Sequence, residues 1–290
     1  MVSVITPIYN RASFLPSLFE SLNHQTSKEF EWIIVDDGSE DDVRGAVEKF
    51  TGEGFDVKLY QKVNGGKHTA VNMGISESKG ELTLILDSDD ELPENAIATI
   101  LDAYQQIKGK SVYAGVCGYM AHRDGQVIGH PIIEVDASEI DLRYKYHVCG
   151  DMCEVFKTDV LRKYPFPEIK GERFCPECLV WNRIAQKYRL HVFSKIIYLR
   201  DYLDGGLTDN IVRIRMNSPV ASMMTYAEML DLDIPWSQKV KAAINYYRFK
   251  ACLTEEHARK VNCRIPTVPA TWLLMKPLGW LMHWKDSKKM

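Results

Sequence analysis

Asp87, Asp89 and Asp90 occupy three of four consecutive positions directly behind an apolar run, in LTLILDSDDELP. Like charges this close resist shared ionisation, so the group belongs either in open solvent or around a cation. Asp87 and Asp89 stand two apart after a strand pattern, which lets both carboxylates aim across one edge. Asp90 is placed to cap the helix expected after Pro93. Oxygen-only donors suit Mg2+ or Mn2+, which are held by one or two carboxylates and complete their shell with substrate phosphates. The twelve-residue calcium loop, with a sixth-position glycine and a terminal glutamate, is absent from this stretch.

A second chemical stretch is NGGKHTAVNMG, where Gly65 and Gly66 precede a helix that opens with Lys67. It invites comparison with a phosphate-binding loop, but that spacing needs glycine where Gln61 stands and Ser or Thr where His68 stands. The first turn, TPIYNRAS, has no glycine and therefore no dinucleotide fingerprint. What remains is Lys67 and the backbone beside it facing a diphosphate, against the plainer alternative of an ordinary helix start.

These residues need a scaffold, and the pattern supplies one. VSVITPIYN, FEWIIVDDGS, DVKLYQK and ELTLILDSDD read as strands, separated by helical stretches at Phe14–Leu22, DDVRGAVEKF, KHTAVNMGISES and NAIATILDAYQQI. Ser13 is placed to cap the first helix, with Pro16 in its first turn. Such alternation implies right-handed crossovers and a mainly parallel sheet covered on both faces, with ligands beyond the carboxyl ends of the strands. That edge collects Pro7, Tyr9 and Asn10, then Asp36, Asp37 and Ser39, then Asp87, Asp89 and Asp90. Turns alone also favour Asp, Asn and Gly at strand ends, but that explanation must hold at three strands together.

The chain has 290 residues, 46% of them hydrophobic, enough for one large core or a domain with an appendage. Lys and Arg number 36 against 39 Asp and Glu, a net charge of -3, which argues against a general nucleic-acid surface. Seven cysteines and no leader pattern at the start give a reducing cytoplasm as the expected location. No run of about eighteen apolar residues is present, which excludes a spanning helix.

SVITPIYNR, IIVDDGSEDD, NGGKHTAVNMGI and LILDSDD, in this order and at these intervals, resemble the nucleotide-sugar-binding half of a family 2 glycosyltransferase with the GT-A fold. The resemblance covers about the first 120 residues. It implies an α/β, Rossmann-like sheet flanked by helices, with residues 1–120 binding the nucleotide sugar and 121–216 the acceptor. From about Asn217 the resemblance thins and the pattern becomes helical, with VASMMTYAEMLDL and WSQKVKAAINYYRFKACL amphipathic, so residues 217–290 are expected to form a helical C-terminal extension.

The resemblance also implies roles. Tyr9 and Asp37 would hold the uracil and ribose of a UDP-sugar, Asp87 the ribose and sugar side, and Asp89 the metal, Mg2+ or Mn2+. Pro7, Asn10, Lys67 and Ser88 complete the nucleotide-sugar-binding group. Inverting transfer is a direct displacement at the anomeric carbon, so an acid must take the proton of the attacking hydroxyl. The family usually has it in a Glu-Asp pair opening a helix, followed four residues later by Trp and six by Arg. In GERFCPECLVWNRIA, Trp181 and Arg183 stand four and six after Glu177, which takes the place of the Asp, while Pro176 replaces the Glu. Glu177 is the expected catalytic base, with Glu172 and Asp151 in reserve; a simple acid favouring the helix dipole is the alternative.

Cys149, Cys153, Cys175 and Cys178 have spacings compatible with a zinc site. Two of them bracket Glu177 and the family generally has no such site, so buried reduced thiols are expected instead. YLRDYLDGGLTDN resembles a late loop over the donor, with Arg200 and Thr208 as contacts. The end, TWLLMKPLGWLMHWKDSKK, mixes Trp272, Trp280, Trp284 and leucines with lysines, as an interfacial helix on a bilayer does. Core packing or a homodimer interface accounts for the same residues.

The expected activity is metal-dependent transfer of a sugar from a nucleotide-diphosphate donor to a hydroxyl of a glycan or lipid-linked acceptor, in cell-surface polysaccharide synthesis. It would take place in the cytoplasm or at the inner face of the membrane. The alternatives are a sugar-phosphate nucleotidyltransferase, whose glycine-rich basic loop TPIYNRAS lacks, and a non-catalytic nucleotide-sugar-binding protein.

Overall fold

A computed structural model describes residues 1–51, 54–130, 134–201 and 210–288. The chain divides into two compact units, Met1–Pro165 with Ile184–Asp201, and Phe166–Arg183 with Tyr202–Met290.

The first unit is built on a sheet whose strands are β1 (Val2–Ile8), β2 (Phe30–Asp36), β3 (Asp56–Gln61), β4 (Leu82–Ile85), β5 (Tyr113–Ala121), β6 (Val135–Ala137), β7 (Met152–Lys157) and β8 (Arg189–Leu199). Their order is β3-β2-β1-β4-β7-β5-β8-β6. The helices are α1 (Leu15–Asn23), α2 (Val43–Val47), α3 (Lys67–Glu77), α4 (Ala96–Ile107), α5 (Glu139–Tyr144) and α6 (Thr158–Lys163). The expected parallel run is β3-β2-β1-β4. Beyond it the sheet is mixed, because β7 pairs antiparallel with β4 and β5.

Every residue of β1 and β2 is buried, as parallel strands covered on both faces require. Their polar residues are satisfied inside: the Trp32 indole donates to Thr6 Oγ1 at 2.9 Å, and the Ser3 hydroxyl donates to Glu31 at 2.7 Å. Helix α3 lies against β1 so closely that a Cβ on Gly74 would stand 2.5 Å from Ile5 Cγ2. Each fully buried Leu or Ile of this core contributes roughly 1.5–3 kcal/mol.

Two caps differ from expectation. A 3-10 turn, Ala12–Phe14, precedes α1, and Phe14 rather than Ser13 occupies the cap position, with no side-chain bond. Asp90 does not cap α4, which starts behind Asn95; it is drawn inward by Tyr198 instead.

The second unit carries α7 (Glu177–Ala185) as far as Arg183, and α8 (Ile211–Asn217), α9 (Pro219–Met229), α10 (Trp236–Lys250), α11 (Glu255–Lys260) and α12 (Lys276–Ser287). Its core gathers Met216, Met223, Ala242, Ala243, Tyr246, Phe249 and Trp272. Among the described residues no helix is long and apolar enough to cross a membrane.

Glu172 is not available as a reserve base. Its buried carboxylate accepts the Val220 and Ala221 amides at 2.7 and 2.8 Å and faces His257 Nε2 at 3.1 Å. These are the first orphan donors of α9 after Pro219, so Glu172 is that helix's cap and dipole partner. Burial pushes its carboxyl up, opposed by the two amides and by His257. Glu172→Ala leaves two buried N–H groups without acceptors and is expected to lower the unfolding free energy by about 3 kcal/mol in a denaturant titration. An unchanged midpoint would refute the capping role.

Candidate active site

The loops after β1 and β2 are stitched into one surface by short bonds. The Asp37 amide donates to the Ile8 carbonyl at 2.9 Å. Asn10 takes a left-handed φ of 52°, its side-chain oxygen accepts the Glu40 amide at 2.7 Å, and its own amide donates to Ser39 Oγ at 3.0 Å. Asp41 accepts the Ala12 amide at 2.7 Å. Asn tolerates that φ better than most residues, and here it is held by the facing loop. The result leaves Tyr9 45% exposed beside the DDGS turn, in the manner of a stacking platform.

Asp37 is buried, and its carboxylate is heavily committed. Oδ1 accepts Lys62 Nζ and the Gly65 amide, both at 2.9 Å, and Oδ2 accepts the Gly66 amide at 2.7 Å. Asp37 therefore shapes the turn that leads into α3. Gly66 opens that helix with a φ of 95°, a left-handed conformation that glycine adopts freely. Lys62 also reaches Thr69 Oγ1 at 2.7 Å, which ties the turn to the helix it starts.

Lys67 leads α3 across to the end of β4, where its ammonium meets Asp87 Oδ1 at 2.7 Å and Oδ2 at 2.9 Å. The Asp87 amide donates to Tyr198 Oη at 3.1 Å, and that hydroxyl donates to Asp90 Oδ2 at 2.7 Å. Burial alone would raise the Asp87 carboxyl; Lys67, then Arg200 and Arg11, more than offset it and hold the group below its ordinary range. Asp90 goes the other way. Burial and the neighbouring Asp87 charge push it up to about 7, with the Tyr198 bond opposing. The crowded acids thus divide into one kept ionised and one disposed to hold a proton.

Asp89 points elsewhere, to Arg11 Nη1 at 2.7 Å, while Arg123 Nη2 donates to its carbonyl at 3.0 Å. Its side chain keeps 19% of its surface in solvent, and Asp87 keeps 32%. Ser88 between them is buried, as is Pro7 within β1. Arg200 pairs with Asp151 at 3.0 Å.

The donor set fits a hard divalent ion. Two partly exposed carboxylates with oxygen donors only, at one strand end, match the one or two protein ligands that Mg2+ or Mn2+ keeps beside substrate phosphates. Asp89, at the rim, and Asp87 would be those ligands. Among the described residues no group of three or more His, Cys, Asp or Glu forms a closed metal cage.

Pro7, Tyr9, Asn10, Asp37, Lys67, Asp87, Ser88 and Asp89 all belong to one edge of the first unit. Glu177 belongs to the second unit, as the exposed first residue of α7, whose Leu179 and Val180 are buried. Trp181 packs edge-on against Phe166, and Arg183 makes a two-bond pair with Glu228 at 2.6 and 2.8 Å. These contacts fix the helix behind the acid. All seven cysteines are free; of the four with zinc-like spacing, Cys153 and Cys175 are buried as expected, whereas Cys149 and Cys178 are exposed. Thr208 lies outside the described residues.

Four residues of the site escaped the sequence reading. Arg11 and Lys62 sit next to motifs and were legible as unexplained cations. Arg123 and Tyr198 come from distant segments, and nothing local marks them.

Residues 3–164 match the family model described as glycosyl transferase family 2. The glycosyltransferase GlyG of Streptococcus pneumoniae serotype 4 is 33% identical over 220 residues, covering 70% of this chain and 69% of that protein. A GalNAc(5)-diNAcBac-PP-undecaprenol beta-1,3-glucosyltransferase of Campylobacter jejuni is 26% identical over 267 residues, covering 86% of this chain and 81% of that protein. Among solved structures, Staphylococcus aureus TarS 1–349 in complex with UDP-GlcNAc aligns with a TM-score of 0.60 at 19% identity, over 100% of this chain and 92% of that one. The mannosyltransferase PcManGT from Pyrobaculum calidifontis, in complex with GDP-Man and Mn2+, aligns with a TM-score of 0.56 at 17% identity, over 98% of this chain and 84% of that one. The mixed sheet flanked by helices is thus of the GT-A type, and the chain belongs to glycosyl transferase family 2 and is a glycosyltransferase.

Proposed function

We propose that this chain transfers a sugar, with inversion, from a UDP-sugar to a hydroxyl of a glycan or lipid-linked acceptor, in a divalent-metal-dependent reaction serving cell-surface polysaccharide synthesis in the cytoplasm. The observation that carries the reading is the convergence of Tyr9, Asp37, Lys67, Asp87 and Asp89 on one strand-end edge. The UDP-GlcNAc bound by TarS, the Mn2+ bound by PcManGT and the lipid-linked substrate named for the Campylobacter relative support it.

In this reading the Tyr9 ring stacks on the uracil. The Asp37 carboxylate, held by Lys62 and the Gly65 and Gly66 amides, keeps the floor of the base and ribose pocket in place. Asp89, with Asp87, would hold Mg2+ or Mn2+, which supplies Lewis-acid stabilisation of the departing diphosphate. Lys67 and Arg11 already neutralise those two carboxylates, so they are the cations positioned to meet phosphate oxygens. Glu177, at the exposed start of α7, takes the proton of the acceptor hydroxyl.

The test is a panel of nucleotide sugars incubated with Mn2+ and a glycan or lipid-linked acceptor mixture. Release of UDP with a glycosylated product is expected. Pyrophosphate release would instead mark a nucleotidyltransferase, and binding without turnover a non-catalytic protein.

A further inference from the structure

Helix α12 is docked by the face that an ordinary amphipathic helix would expose. Gly279, His283 and Asp286, spaced four and three apart, lie on one side and meet α10 and the segment behind it. A Cβ on Gly279 would stand 2.6 Å from Tyr247 Cβ, so the helices touch backbone to side chain. His283 Nδ1 lies 3.3 Å from Cys252 Sγ, and Asp286 pairs with Arg248 at 2.5 Å. The opposite side presents Trp280 at 58% exposure, Leu281 at 48% and Trp284 at 53%, and the turn before it adds Leu274 at 79%. Singly exposed apolar residues are ordinary; two tryptophans and a leucine on one outward helical face, behind an exposed leucine in the preceding turn, are not.

The rim decides what covers this face. Lys276, Lys285 and Lys288 are all exposed, and the ammonium groups of Lys276 and Lys288 lie 5.8 and 3.8 Å from the Trp280 and Trp284 ring centres. Asp286 is the only acid in the helix and is already taken up by Arg248. A second copy docking through the same face in a two-fold dimer would bring like lysine rims together. An anionic bilayer answers both features, because tryptophans settle at the headgroup level while lysines meet lipid phosphates.

We propose that α12 is a membrane-surface anchor, seating the Trp280, Leu281 and Trp284 face in the headgroup region of an anionic bilayer. This does not depend on the donor assignment. The helix is too short to cross the membrane and lies along it.

The experiment is co-sedimentation of the full chain with vesicles, reading bound fraction and tryptophan emission. Vesicles of phosphatidylcholine alone are compared with an equal mixture of phosphatidylcholine and phosphatidylglycerol. The expected result is binding to the mixture with a blue shift, and little binding to phosphatidylcholine. Trp280→Ser with Trp284→Ser should weaken the partition constant at least about 10-fold. Lys276→Glu, Lys285→Glu and Lys288→Glu together should weaken it about 100-fold or more. Both variants should keep the wild-type melting temperature, and the comparison of lipid compositions stands even if a variant fails to fold. Equal binding to both vesicle types would overturn the proposal. So would no vesicle binding, whether the chain sediments as a monomer or as a dimer that the tryptophan variant dissociates.

Discussion

Glu177→Gln is expected to lower kcat for sugar transfer by about 10²–10⁴, the usual worth of a positioned general base. The change removes one proton-accepting charge and keeps the shape of an exposed residue at the start of α7. The melting temperature should therefore hold, apart from a loss of about 0.3–1 kcal/mol from the helix dipole. KM for the nucleotide sugar should hold as well, because the donor-side residues are elsewhere in the chain. Stopped-assay kinetics with a calorimetric melt check all three quantities. A variant that melts early and retains its kcat would assign Glu177 to helix stability alone.

Asp89→Ala carries the second large effect. This carboxylate makes an ion pair with Arg11 at a partly exposed rim. Such a pair contributes at most about 1 kcal/mol to stability, so the variant should fold nearly as well as the parent. Its effect on catalysis should be far larger. Losing several kcal/mol of Lewis-acid stabilisation corresponds to a fall of about 10³ or more in kcat/KM. Binding of UDP should lose its dependence on Mn2+ at the same time. If kcat/KM falls only a few-fold while Mn2+ dependence persists, Asp89 serves Arg11 rather than a metal, and Asp87 must be the ligand. Asp89→Asn, which keeps an oxygen donor, should recover part of the loss.

Much of this edge was legible because its signals are local. The β-branched run before Pro7, the paired acids after Ile34 and Val35 and the glycines before Lys67 each state a strand end or helix start within a few residues. The strands they imply are present, and so is the edge that collects Tyr9, Asp37, Lys67, Asp87 and Asp89. Roles set by distant partners were not legible. Asp90 reads as a helix cap, but Tyr198, more than a hundred residues later, buries and bonds it. Glu172 reads as a spare acid, but the orphan amides that claim it follow Pro219. Asp37 reads as a ligand group, yet the structure shows that its carboxylate first builds the Gly65–Gly66 turn. The antiparallel insertion of β7 beside β4 likewise depends on long-range pairing that periodicity does not encode.

The decisive measurement is diffraction at the manganese edge from crystals soaked in UDP and Mn2+. The expected map places an anomalous peak at coordination distance, roughly 2 Å, from a carboxylate oxygen of Asp89. The diphosphate should lie beside it and the uracil against Tyr9, with Arg11 drawn off the Asp89 carboxylate. Nucleotide density away from this edge, or Asp89 still locked to Arg11 with the manganese elsewhere, would contradict the assignment of the strand-end acids to the donor site.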